Sequence, residues 1–372
     1  MTRPAFDTVR TLVVKVGSAL LQSGPDAIDR IAHDIATLQA EGVKVALVSS
    51  GAVALGRPKL GLPAGSLTLE QKQAAAAAGQ TLLVDAWARA FERHGLHTAQ
   101  ALITPDVTEV RRRWLNARAT LRTLLDLGAI PIVNENDTVA TDELRYGDND
   151  RLAARVAQLV SADLLLLLSD IDGLYDQDPR LDPGAHKIEN IAEITPDILA
   201  MAGKANAKAA VGSGGMVTKL AAVQIAATSG CATVIAHGAH ERPVLALREK
   251  SHGSWFAAAS GAKARKSWLA GALEVRGQVI VDAGAAKAVQ AGKSLLPVGI
   301  VRITGQFERG DPVEIRTPDK VRIARGISSY DAEDARRIAG RQTDEIEQIL
   351  GYRRSASLVH ADDILLAGSE HG

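Results

Sequence analysis

Short apolar runs alternate with helix-period stripes from the start of the chain to about His240. Thr11 to Val16 (TLVVKV) reads as a strand that ends at Gly17-Ser18. Ile28, Ile31, Ile35 and Leu38 then recur three and four positions apart, which predicts an amphipathic helix. Val43 to Val48 is the next strand, an Ala-rich helix spans Leu69 to His94, and further strands are predicted at Thr98 to Ile103, Ala129 to Val133, Asp163 to Leu168 and Ala232 to Ala236. Helical patterns separate them. Nearly continuous apolar strands alternating with helices predict an α/β fold, a mostly parallel central sheet sandwiched by helices. Ligands of such sheets gather beyond the carboxyl ends of the strands.

The pattern changes after His240. The stretch Glu241 to Ala270 is basic and rich in small residues, and its latter part reads as a linker. From Gly277 the predicted strands are short: Gln278 to Val281, Gly299 to Ile303, Pro312 to Ile315 and Val321 to Ala324. Turn signals such as Arg309-Gly310-Asp311-Pro312 punctuate them, and two short helical patterns intervene at Ala285 to Gln290 and Ala332 to Ile338. A small, separate, β-barrel-like domain is expected here.

Composition narrows the function. The 372 residues carry 43 basic and 43 acidic side chains, which argues against a strongly basic nucleic-acid binder. The single cysteine, Cys231, excludes a disulfide framework and a multi-cysteine zinc site. The first ten residues lack the pattern of a signal peptide, and no apolar run approaches the roughly 20 residues of a spanning helix. A cytoplasmic protein with no membrane partner is expected.

Four strand ends carry polar residues. In Lys15-Val16-Gly17-Ser18, the lysine either snorkels to water from an edge strand or clamps a phosphate beside a glycine that lets an anion approach. In Ser49-Ser50-Gly51, a strand turns into a helix whose first amides could bind a carboxylate or phosphate, or the serine could simply cap the helix. Asn134-Glu135-Asn136-Asp137 and Gly147-Asp148-Asn149-Asp150 crowd carboxylates and amides together; they could hold an ammonium group, bind Mg²⁺ through waters, or orient lysines. Ser169-Asp170 ends a buried-looking strand, and Gly212-Ser213-Gly214-Gly215-Met216-Val217-Thr218-Lys219 opens a helix as a glycine-rich loop with its own lysine. That loop is neither a P-loop nor a dinucleotide fingerprint. Three other features favour bland readings. Cys231 reads as a core residue, the pair His237 and His240 lacks further ligands, and Arg111-Arg112-Arg113 reads as a solvated helix face.

Taken in order, these motifs resemble the amino acid kinase family, and within it the branch that acts on free L-glutamate. Asn116-Ala117-Arg118 adds to the likeness, and Ser294-Leu295-Leu296-Pro297-Val298-Gly299-Ile300 with Arg336-Arg337-Ile338-Ala339-Gly340 resembles a PUA domain. The resemblance implies the amino acid kinase fold over residues 1–262, a linker over 263–276 and a PUA domain over 277–372. It implies ATP-dependent phosphorylation of the γ-carboxylate of L-glutamate to L-glutamate 5-phosphate, the first step of proline biosynthesis. By the same resemblance, Lys15, Lys219 and Asp150 are catalytic: the lysines contact the ATP phosphates and Asp150 orients them. Ser50, Gly51, Asn134, Asp137, Asp148 and Asn149 would hold glutamate. Lys15, Gly17, Ser169, Asp170, Ser213, Gly214, Gly215, Met216, Val217, Thr218 and Lys219 would hold ATP. No metal ligands are assigned, Mg²⁺ being held mainly by ATP phosphates and water.

The resemblance also implies proline as a feedback inhibitor, a homo-oligomer (dimer or tetramer) and a glutamate-5-phosphate reductase as a partner. Two alternatives stay open: a related kinase acting on acetylglutamate, aspartate, carbamate or UMP, and an RNA-binding PUA protein. The segment from Gly271 to Gly372 holds only Phe307, Tyr330 and Tyr352 as aromatic residues and is close to charge-neutral, so nucleic acid is not the expected partner.

Overall fold

The computed structural model describes residues 6–22, 24–104, 107, 111–139, 149–205, 215–248, 252–258 and 275–367. The expected linker and the sites at Asp148, Ser213 and Gly214 lie wholly or largely outside these residues. The chain forms two compact units, Met1–Ala259 and Ser260–Gly372.

In the first unit, β1 (Thr11–Val16), α1 (Ser18–Gln22), α2 (Pro25–Ala40), β2 (Lys44–Ser49), α3 (Ala52–Lys59), α4 (Leu69–Glu92), β3 (Thr98–Ile103) and β4 (Ile130–Glu135) lead to β5 (Leu164–Ser169). A two-stranded hairpin of β6 (Leu174–Tyr175) and β7 (Lys187–Ile188) follows, then β8 (Asn190–Ile191), β9 (Ala232–His237) and β10 (Ser254–Phe256). The helices Arg111–Asp126, Asn149–Val160, Pro196–Ala205 and Met216–Thr228 lie between strands. The main sheet has the order β3-β4-β2-β1-β5-β9-β10-β8, parallel except where β10 runs against β9. Leu12 to Val14 and Leu164 to Leu167 are fully buried, as expected for strands covered on both faces. The predicted stripe holds, with Ile31, Ile35 and Leu38 of α2 fully buried and Ile28 packed at the edge of the same core.

The strands run further than the apolar pattern predicts. Ser49, Asn134, Glu135, Ser169 and His237 all remain in the sheet, paired as Val16 with Ser49, Leu102 with Asn134, Ile103 with Glu135 and Ser169 with His237. Ladder hydrogen bonds come from the backbone, so a polar side chain does not end a strand that still has a neighbour. The consequence is functional. The polar residues are presented from the rigid edge of the sheet and not from loose loops.

The long helix α4 begins at a capping box, Thr68 with Gln71, which explains its sharp start. It crosses α3 at two glycines. A Cβ on Gly79 would lie 1.8 Å from the carbonyl oxygen of Ala52, and one on Gly56 would lie 1.8 Å from that of Ala75. Only glycine permits backbones that close, so these residues fix where α4 sits over the sheet.

The second unit is a five-stranded sheet of β11 (Gly277–Val281), β12 (Ile300–Gly305), β13 (Pro312–Arg316), β14 (Arg322–Ile327) and β15 (Ile364–Leu366), in the order β12-β11-β13-β14-β15. The helices Ala283–Gln290 and Ala332–Ile338 are capped by Asp282 and Asp331. β15 escaped the sequence pattern because three residues carry too little periodicity. On this sheet Glu314 accepts hydrogen bonds from Arg316 at 2.6 and 2.8 Å, with Arg322 and Arg325 each at 3.7 Å. Several of its arginines are thus engaged by one carboxylate.

Candidate active site

A cavity of about 890 Å³ opens at the carboxyl ends of β4, β2, β1 and β5, four adjacent strands. Its lining includes Lys15, Gly17, Ser50, Gly51, Asn134, Asp137, Asn149, Ser169, Asp170 and Lys219, ten of the residues expected from sequence.

Beneath it lies a charged triad. Lys15 comes from the carboxyl end of apolar β1, Lys219 from the first turn of the helix Met216–Thr228, and Asp150 from the first turn of the helix Asn149–Val160. The Lys15 ammonium is 2.6 Å from one Asp150 carboxylate oxygen, and the Lys219 ammonium is 2.9 Å from the other. Asp150 is fully buried and each lysine is 5% exposed. Burial alone would raise the Asp150 pKa, but the two ammonium groups outweigh it and hold the carboxyl below its usual value. Asp150 thus holds two ammonium groups together where Lys15 and Lys219 line the cavity. A Cβ on Gly17 would sit 3.6 Å from the Leu168 carbonyl oxygen and 3.9 Å from Lys15 Nζ, ordinary contact distances, so packing alone does not require glycine there.

Beside the triad runs a chain of amides. Asn149 Nδ2 donates to Ser50 Oγ at 2.8 Å and to Asn134 Oδ1 at 3.0 Å. Asn134 Oδ1 also accepts the Glu135 backbone N–H at 2.9 Å, and Asn134 Nδ2 donates to Gln80 Oε1 at 2.8 Å. Ser50 and Gly51 lead into α3, whose first turn supplies amide donors. Gly51 has a φ of 108°, a left-handed conformation that suits glycine at this turn. Ser49 carries no ligand role: it is buried and accepts the Trp87 indole N–H at 2.9 Å.

The remaining expected residues are placed differently. Gly215 caps the helix Met216–Thr228, and Thr218 Oγ1 donates to its carbonyl at 2.7 Å. Met216 is buried and Val217 is exposed. Of this loop, among the described residues, Lys219 alone lines the cavity. Ser169 Oγ donates to Asp170 at 3.0 Å. Sequence reasoning left out Gln80, Arg57, Lys72 and a role for Glu135, although Arg57, Lys72 and Glu135 line the cavity. Glu135 was visible in its polar block, and Gln80 as a lone amide in an apolar helix. Arg57 and Lys72 gave no signal. Arg57 is held by the carbonyls of Pro63 and Gly65.

Cys231 is a buried core residue, as expected. His237 and His240 each use Nδ1 to accept a nearby backbone N–H, from Ala239 and Arg242. Among the described residues no group of three or more His, Cys, Asp or Glu could hold a metal ion, and no helix is long and apolar enough to cross a membrane.

Lys15 at a strand end and Lys219 at a helix start thus share one buried carboxylate beside a polar pocket, an arrangement suited to a phosphotransferase. Residues 10–237 match the amino acid kinase family and residues 277–350 match the PUA domain, and the chain belongs to the amino acid kinase family. Within that family it stands among the glutamate 5-kinases. It is 54% identical to glutamate 5-kinase from Caulobacter vibrioides (strain NA1000 / CB15N) over 98% of both chains, and 54% identical to that of Rhizobium etli (strain CIAT 652) over 98% of this chain and 95% of the relative. Among solved structures, carbamate kinase from Giardia lamblia bound to AMP-PNP matches with a TM-score of 0.48 and 18% identity, over 68% of this chain and all of that one.

Proposed function

We propose that the cavity binds L-glutamate and the γ-phosphate of ATP side by side and transfers the phosphoryl group to the glutamate side-chain carboxylate. The observation that carries this reading is the buried Lys15–Asp150–Lys219 group, one carboxylate holding two ammonium groups at the cavity. A carboxylate has a pKa of about 4.3, so it is already ionised at neutral pH and needs no general base. Among the described residues, those that line the cavity include no histidine, consistent with that chemistry. The barrier is electrostatic, because one anion must approach another. Lys15 and Lys219 lower it by compensating charge on the phosphoryl group, and Asp150 keeps both ammonium groups aimed at the same place.

In the transfer, a carboxylate oxygen forms a bond to the γ-phosphorus while the bond to the β,γ-bridging oxygen breaks. Its electron pair leaves with ADP, and the product is an acyl phosphate. Asn149 and Ser50, with Asn134 and Asp137, hold the amino acid; Ser169, Asp170 and the segment from Ser213 to Lys219 hold ATP. The described donor set contains no protein cage for Mg²⁺. An ion carried on the ATP phosphates and completed by water fits these residues.

The same reading assigns residues 1–262 to catalysis, 263–276 to a linker and 277–372 to the PUA domain. It extends to a cytoplasmic enzyme, homo-oligomeric, inhibited by proline and supplying a reductase. ADP release measured with L-glutamate, N-acetylglutamate, aspartate, carbamate and UMP tests the acceptor. Glutamate should support turnover well above the others, and preference for another acceptor would overturn the reading.

A further inference from the structure

We infer that Gln80 is a positioning residue for the acceptor, acting through Asn134 to set which hydrogen-bonding groups Asn149 and Ser50 offer. The inference rests on the acceptor reading above. Gln80 stands on α4, about 8% exposed, and its Oε1 accepts the Asn134 amide.

The polarity of the chain follows from one fixed point. The Glu135 backbone N–H can only donate, so the Asn134 atom facing it is Oδ1. The other terminal atom of Asn134 is therefore Nδ2, and the group it meets on Gln80 must be the oxygen. Oδ1 of Asn134 also meets the Asn149 amide, which must then present Nδ2. That same Nδ2 donates to Ser50 Oγ, so both of its hydrogens are used. What remains is an acceptor, Asn149 Oδ1, and a donor, the Ser50 hydroxyl hydrogen, on two residues that line the cavity. An α-amino acid has the complementary pair, an ammonium donor and a carboxylate acceptor. If Asn134 turned over, the chain would lose the Glu135 bond, and Asn149 would offer the wrong group.

Gln80 completes that choice: once the Glu135 N–H fixes Asn134, the Gln80 Oε1 gives Asn134 Nδ2 the acceptor it needs. The Gln80 Nε2 is buried without a hydrogen-bond partner among the described residues, so the bond this glutamine makes here is the one its Oε1 accepts from Asn134. Its place is set by the close crossing at the neighbouring Gly79, and one face of α4 holds two points of the site, since Trp87, two turns on, bonds Ser49.

The test is a double-mutant cycle of Gln80→Met and Asn134→Ala, with hydroxylamine-trapped acyl phosphate followed as glutamate and ATP are varied. Gln80→Met keeps the length and loses the acceptor oxygen. It should raise the glutamate KM about tenfold while the ATP KM and kcat change less than about twofold, with a modest fall in thermal stability from the orphaned Asn134 amide. The double variant should match Asn134→Ala alone, because the effect passes through Asn134. Full additivity, an unchanged glutamate KM, or equal losses in kcat and both KM values would overturn the inference. A wild-type enzyme that turns over a different acceptor and not glutamate would sink the functional reading instead. The same cycle, read in the KM of that acceptor, would still decide the role of Gln80.

Discussion

Lys15 and Asp150 meet through a wholly buried contact of 2.6 Å, and the second oxygen of that carboxylate is already taken by Lys219 at 2.9 Å. One carboxylate thus holds two ammonium groups from distant parts of the chain at a fixed separation. Removing one lysine leaves a neutral pair, whereas removing the carboxylate leaves two buried positive charges. The two kinds of variant should therefore behave oppositely.

Lys219→Ala should lower kcat by about 10²- to 10³-fold, the usual cost of losing one group that stabilises transition-state charge. Its circular dichroism and urea midpoint should stay close to wild type, since Lys15 and Asp150 still neutralise each other. Near-normal kcat would remove Lys219 from the mechanism.

Asp150→Asn should cost about 3–5 kcal/mol of stability, because it breaks a buried pair and strands its partners. The effect depends on pH with a definite sign. The folded Asp150 pKa is depressed, so its contribution is present above the unfolded value of about 3.9 and is lost as pH falls through the folded value. Urea unfolding between pH 7 and pH 3 should show the gap between wild type and variant closing at the acid end. A gap that stays constant would contradict this account.

Asp137→Ala should raise the glutamate KM by about tenfold to a hundredfold, the loss of one charged hydrogen bond to an ammonium group, with little change in the ATP KM. Steady-state kinetics with each substrate varied separates the two, and an effect confined to ATP would refute the assignment.

Gly79→Ala should destabilise the fold by about 1–3 kcal/mol, because its Cβ has no room against Ala52 and the helices must part. Thermal unfolding checks it, and a neutral substitution would mean that α3 and α4 can separate freely.

Much of the site was legible because its chemistry is local in sequence. Lys15 stands out in an apolar strand, and Asn134 to Asp137 crowd a strand end. The sheet was legible because buried parallel strands are apolar throughout. The supporting layer was not. Gln80 sits in an Ala-rich helix with nothing to link it to Asn134, 54 residues away, and Arg57 and Lys72 look like ordinary surface cations. Such contacts depend on how one helix crosses another, here at Gly56 and Gly79, and periodicity carries no information on that. Strand ends were read one or two residues short for a related reason: pairing belongs to the backbone, and the pattern reports side chains.

The central claim is tested most directly by trapping the product. Purified enzyme with ATP, Mg²⁺, L-glutamate and hydroxylamine should form glutamyl hydroxamate in step with ADP release, and Lys219→Ala should abolish most of both. ADP release without hydroxamate, or hydroxamate formation undiminished in Lys219→Ala, would contradict phosphoryl transfer to the glutamate carboxylate at this site.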